Sequence, residues 1–138
     1  MKKLLTIAAT TLAFAAPAFA EGDAAAGEKT FKKCKSCHTI ANGEDTIVKG
    51  GKTGPNLYGI IGKTAGTDEG FKYGKDLVAA GEAGLVWDEA SLANYVADPK
   101  DFLKETLGDS GAKSKMSFKL KKGGDDVAAY LASLAPAE

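Results

Sequence analysis

Arginine is absent from this 138-residue chain, histidine occurs once, and cysteine and methionine occur twice each. Eighteen lysines match eighteen acids, so the formal net charge is zero. Nucleic-acid binding calls for a strong basic excess, and this balance argues against it. Long apolar runs are missing after the first twenty residues, which predicts a soluble mature protein. β-alternation of useful length is missing too, and no internal repeat is present. What remains is a single-domain chain with seventeen glycines, short helical patterns and many turn signals. Such a chain buries about two-thirds of its unfolded surface. The glycines raise the entropy lost on folding, and a large buried cofactor would add apolar volume to a modest core.

The first twenty residues are set aside from fold reasoning. Lys2 and Lys3 precede an apolar run from Leu4 to Phe19, and Ala18-Phe19-Ala20 presents the small residues of a signal-peptidase site. The run is short for a bilayer span and is followed at once by Glu21. Residues 1–20 are thus read as a cleaved signal peptide and 21–138 as one domain, with sixteen lysines against eighteen acids.

Asp23 to Lys33 reads as a helix with Asp23 as N-cap and Gly27 and Phe31 on one face. A glycine inside a helix costs about 1 kcal/mol relative to alanine, which points to another backbone packed closely there. Asn42 to Leu57 reads as loop, and Lys63 to Gly70 as turn-rich. Asp88 to Ala97 is helical, with Leu92, Tyr95 and Val96 sharing a face and Asp98-Pro99 as the stop. A short helix is expected from Asp101 to Leu107, ending at Gly108. The clearest helix runs from Asp125, as cap, to Leu134, with Val127, Tyr130, Leu131 and Leu134 on one stripe. The expected class is all-α with long structured loops.

Every cysteine and the sole histidine fall within Cys34-Lys35-Ser36-Cys37-His38. C-x-x-C-H is the pattern of covalent c-type haem attachment. Positions three and four apart share one face of a helical turn, so Cys34 and Cys37 reach two vinyl groups along one haem edge while His38 lies beneath the iron. A disulfide redox pair would want a βαβ context that is missing. A structural zinc site needs four protein ligands, more than the chain's cysteines and histidine supply.

The iron's sixth position has few candidates. Met1 leaves with the signal segment, so Met116 is the remaining thioether, set among Lys113, Ser114, Lys115 and Lys119. Ligation by Met116 is the leading reading; a core-filling Met116, a ligating lysine or an open sixth site are the alternatives. A Met/His pair favours ferrous iron and raises the potential, as suits an electron carrier.

With these residues located, the chain resembles the class I cytochromes c, and within them the larger bacterial cytochrome c2 type. The resemblance runs through the whole mature chain. It rests on Gly27 and Phe31, C-K-S-C-H, K-T-G-P-N-L at 52–57, F-K-Y at 71–73, Trp87, N-Y-V at 94–96, K-M-S-F at 115–118 and D-D-V-A-A-Y-L at 125–131. It implies the class I cytochrome c fold, with N- and C-terminal helices crossing, Gly27 and Phe31 lying against Val127, Tyr130 and Leu131. It also implies that the Pro55 carbonyl accepts from the His38 ring, and that Tyr73, Trp87 and Ser114 donate to a buried propionate. Tyr95 is expected near the Met116 sulfur, with Leu57, Leu92 and Phe118 walling the haem. Two departures stand out. Lysine occupies position 63, where the family commonly has arginine, keeping the charge but losing the planar fork. The stretch from Pro99 to Met116 exceeds that of short mitochondrial-type relatives and leaves the course of Asp101–Ala112 open.

Lys29, Lys32, Lys33 and Lys35 crowd the attachment segment, and Lys113, Lys115, Lys119, Lys121 and Lys122 surround Met116. The expected function is a monomeric periplasmic electron carrier, not an enzyme, with one haem c. Lys32, Lys35, Lys115 and Lys119 would dock membrane redox complexes. By resemblance the donor is the cytochrome bc1 complex, and the acceptor a photosynthetic reaction centre, terminal oxidase or periplasmic reductase. A haem enzyme or gas sensor is the competing class, marked by carbon monoxide binding; a colourless disulfide-containing export protein is the third.

Overall fold

The computed structural model describes residues 22–134. The signal segment expected over 1–20, and its cleavage point, lie outside the described residues. Five helices, one 3-10 turn and a two-stranded hairpin make up the fold. No helix among the described residues is long and apolar enough to cross a membrane.

Helix α1 (Ala24–Thr30) begins where Asp23 accepts hydrogen bonds from the Ala25 and Ala26 amides, and tightens into a 3-10 turn over Phe31–Lys33. The last helix, α5 (Gly124–Leu134), crosses it, with Val127, Tyr130 and Leu131 buried. Phe31 meets Tyr130 with ring centroids 5.9 Å apart. Gly27 is buried at this crossing: a Cβ there would run into the Asp126 carbonyl and come within 2.8 Å of the Tyr130 Cβ. Asp126 adds a polar clasp, its Oδ1 accepting the Asp23 amide at 2.8 Å. The expected crossing is therefore present, and a missing side chain makes it possible. The helix starts at Gly124 rather than behind an Asp125 cap; the Gly123 carbonyl accepts the Val127 amide, with Gly123 at φ 83°.

Between these helices, α3 (Glu89–Ala97) packs on α5 and on α4 (Pro99–Leu107). Asp88 and Ser91 form a reciprocal capping box at the start of α3. Asp98 ends α3 and caps α4, its Oδ1 accepting the Asp101 amide at 3.1 Å. The stretch expected as an open-ended insertion is thus two residues longer as a helix, with Pro99 at its first turn and Gly108 closing it at φ 60°. Trp87, Tyr95 and Phe102 form an aromatic cluster at centroid separations of 5.0–5.9 Å.

Two elements depart from expectation. Part of the 42–57 stretch pairs as a hairpin of β1 (Ile40–Asn42) and β2 (Asp45–Val48), so the chain is mainly rather than wholly α. The Asn42-Gly43 turn signal marks its tip, with Gly43 at φ 59°. Most of β2 is exposed, which is why no alternating pattern announces it. Helix α2 (Lys75–Glu82) was expected from no sequence feature. Its buried residues are Ala80 and Gly81, too small to draw an apolar stripe.

Gly27→Ala tests the crossing. Overpacking of this kind costs about 1–3 kcal/mol, so the haem-loaded variant should unfold at lower guanidinium concentration by circular dichroism. An unchanged midpoint would mean that the two helices have room to spare.

Candidate functional site

The attachment segment continues directly from the 3-10 turn. The Lys35 amide bonds back to Phe31, and the Cys37 and His38 amides bond to the Cys34 carbonyl at 3.1 and 3.0 Å. This single turn turns Cys34, Cys37 and His38 toward the same cavity. A loop folds over its outer side: Gly51 donates to the Lys35 carbonyl and Gly54 to that of Cys37.

His38 Nδ1 lies 2.8 Å from the Pro55 carbonyl oxygen. A carbonyl only accepts, so the proton is on Nδ1 and the Nε2 lone pair is free to ligate a metal. Burial lowers the imidazole pKa, with the Pro55 bond opposing it, and favours the neutral ligand form. Two neighbours hold this geometry. A Cβ on Gly54 would sit 2.6 Å from Nδ1 and 2.8 Å from Nε2. Asn56 clamps the next turn, accepting from the Ala41 and Tyr58 amides at 3.0 Å each and donating to the Ala41 carbonyl at 2.8 Å. Neither role is legible in sequence beyond the Gly-Pro-Asn turn signal.

Cys34 is half-buried and Cys37 exposed, and both are free. Burial, aided by Cys37 and opposed by Lys33, pushes the Cys34 thiol up to about 11. Among the described residues no three His, Cys, Asp or Glu side chains cluster as metal ligands, which leaves the closed zinc reading without its donor set.

All nine residues expected at the site line one cavity of about 370 Å³: Cys34, Cys37, His38, Pro55, Tyr73, Trp87, Tyr95, Ser114 and Met116. Leu57, Leu92 and Phe118 line it too, joined by Ile60, Leu77, Val127 and Leu131. This volume is within the range of cofactor pockets, about 300–1,000 Å³. Thiols and an imidazole on one wall, a thioether on the lining and apolar surfaces between them suit a flat, covalently attached haem.

The polar lining is less uniform than expected. Trp87 is buried, at 4% exposure. Tyr73 stacks edge-on against Phe71 at 5.0 Å, and burial followed by the Asp68 charge raises its pKa, keeping it a neutral donor. Ser114 instead faces Tyr95, hydroxyl to hydroxyl at 3.5 Å, at the long limit for such a bond. Burial raises the Tyr95 pKa while Ser114 opposes it.

The lysines expected to meet a partner divide into two groups. Lys32 and Lys35 are exposed on the attachment side, with Lys33, Lys63, Lys113 and Lys115 lining the cavity. Lys115 Nζ donates to the Lys72 carbonyl at 2.7 Å, and Lys119 Nζ pairs with Asp98 at 2.9 Å. The latter two are therefore partly engaged within the chain.

No family model matches the chain. It is 60% identical to cytochrome c-551 of Roseobacter denitrificans, over 97% of this chain and 96% of that one. It is equally 60% identical to cytochrome c2 of Rhodobacter capsulatus, over 97% and 98%. The solved structure of that cytochrome c2 superposes with a TM-score of 0.79 at 61% identity, covering 81% of this chain and 97% of the other. Ferric cytochrome c-550 from Paracoccus versutus gives 0.81 at 55% identity, covering 84% and 100%. A helical shell built around one C-x-x-C-H turn and a single apolar cavity defines a haem-carrying electron-transfer protein. The chain belongs to the class I c-type cytochromes, resembling cytochrome c2, and its cofactor is haem c attached through Cys34 and Cys37.

Gly54→Ala is expected to crowd the imidazole and to destabilise the holoprotein by about 1–3 kcal/mol, with a changed haem absorption spectrum. A wild-type spectrum and melting temperature together would show that the ring tolerates the methyl group.

Proposed function

We propose that this chain is a mobile periplasmic carrier of single electrons whose haem is ligated by His38 and Met116. The observation that carries the reading is the convergence of His38, Met116 and both cysteines on one apolar cavity. The haem supplies a one-electron iron couple, with the potential set largely by its axial ligands and surroundings. The chain's residues do the rest. The Pro55 bond orients the His38 ring and raises its basicity. Met116, as a soft thioether, favours the reduced state. Two side-chain ligands leave no coordination position for a substrate, which separates a carrier from a haem enzyme or gas sensor. Tyr73, Trp87 and Ser114 are the lining residues suited to donate to a buried propionate.

Residues 1–20 act as a cleaved export signal, delivering residues 21–138 as a single domain and a monomer. Docking is electrostatic. Lys32 and Lys35 meet acidic surfaces of membrane redox complexes, with Lys115 and Lys119 contributing from the Met116 side. The donor is a complex of the cytochrome bc1 kind, and the acceptor a photosynthetic reaction centre or terminal oxidase. Fast, weak encounters of this sort use small interfaces, below about 1,200 Å².

Met116→Ala should abolish the far-red methionine-to-ferric-iron band, lower the potential and admit carbon monoxide to the reduced protein. Survival of the band would remove Met116 from the iron. Lys32→Gln with Lys35→Gln should slow reaction with an acidic redox partner several-fold at low salt, the difference shrinking as about 0.15 M salt screens the charges. A rate indifferent to both changes would exclude docking through this face.

A further inference from the structure

The Met116 segment is fastened at points spaced evenly about the methionine. Three residues before it, the backbone amide of Lys113 donates to Asp76 Oδ2 at 2.7 Å. Three residues after it, Lys119 Nζ reaches Asp98 Oδ2 at 2.9 Å, and the next residue, Leu120, donates its amide to the Val96 carbonyl at 2.7 Å. These tethers come from different elements: Asp76 from the first turn of α2, Asp98 and Val96 from the end of α3.

The tethers differ in kind. The Lys119–Asp98 pair joins two partly exposed side chains, 50% and 30% accessible, and weakens as salt screens it. Asp76 is half-buried, and its carboxylate grips a backbone amide, a short charge-assisted bond of the stronger class. It also acts alongside a second link between the same two segments, from Lys115 Nζ to the Lys72 carbonyl at 2.7 Å. Gly74 and Leu77, on either side of Asp76, line the same cavity as Lys113, Ser114, Lys115 and Met116, and Gly74 lies against Lys115. Among the described residues nothing else bonds the Lys113 amide, so loss of the carboxylate frees the strap on its leading side.

We infer that Asp76 is a positioning residue: by holding the Lys113 amide it keeps the Met116 strap closed and sets how often the sixth coordination site opens. This rests on the Met116 ligation proposed above. Asp76 touches neither iron nor ligand and acts through the strap alone. Helix α2 thus has a function beyond packing, since it presents this carboxylate to a loop thirty-seven residues away.

The test is imidazole binding to the ferric holoprotein, whose rate reports spontaneous departure of the native ligand, read beside native-state hydrogen exchange at Lys113. Asp76→Ala should raise the imidazole binding rate about tenfold, the change expected for losing about 1.4 kcal/mol from a closed strap. Asp76→Asn keeps an acceptor oxygen and should recover most of the wild-type rate. Asp23→Ala removes the α1 cap at a distance; it should lower the melting temperature without speeding imidazole entry, separating strap opening from general weakening. In the wild-type protein the Lys113 amide should exchange slowly despite its exposed side chain. Wild-type imidazole kinetics in Asp76→Ala, or Lys113 exchange at the rate of an open loop, would overturn the inference. Should Asp76→Ala fail to mature, Asp76→Asn and the Lys113 exchange rate still decide it. A wild-type protein without the far-red band would instead refute Met116 ligation, a separate failure.

Discussion

The hydrogen bond from His38 to the Pro55 carbonyl organises one whole wall of the molecule. At 2.8 Å it decides the tautomer of the only histidine and leaves the Nε2 lone pair free to act as a ligand. The neighbouring residues serve this bond. Gly54 lacks the side chain that would strike the ring, and Asn56 makes two hydrogen bonds to Ala41 of β1 and accepts a third from the Tyr58 amide of the following turn. The hairpin then closes over the same stretch, with Ile40 completely buried. A backbone carbonyl has no side chain to aim it, so a rigid local frame must do so.

The opposite wall is built differently. The cysteines, His38 and Pro55 lie close together in sequence and are brought into place by short-range turns, which close at modest entropic cost. Met116 is held instead by partners far along the chain: Asp76 on α2, Asp98 and Val96 at the end of α3, and Tyr95 through Ser114. The crossing of α1 with α5, and of α3 with both α4 and α5, sets the distance between these walls. A ligand carried on a strap with few tethers can leave and return; one on a short bonded turn cannot. His38 and Met116 are therefore held with different firmness, although both line the same cavity.

Much of this was legible beforehand. Gly27 in an otherwise good helix pointed to a close backbone neighbour, and that neighbour is Asp126. The helix expected over Asp88 to Ala97 and its Asp98-Pro99 stop are present, with Asp88 as the cap rather than the first helical residue. The hairpin was missed because β2 is largely solvent-facing and leaves no alternating pattern. Helix α2 was missed because its buried residues are alanine and glycine. Ser114, expected by resemblance to donate to a propionate, lines the cavity with its hydroxyl 3.5 Å from that of Tyr95, a contact no sequence pattern announces.

Sequence alone determined the chemistry. With two cysteines and one histidine confined to five residues as C-x-x-C-H, the mode of haem attachment is legible from residue type and spacing. Tertiary structure alone decided the arrangement: which carbonyl meets the imidazole, which carboxylate accepts the Lys113 amide, and which lysines pair within the chain. Side-chain chemistry is written in each letter of the sequence, but backbone acceptors are alike at every position. Only the folded path of the chain determines which of them is used.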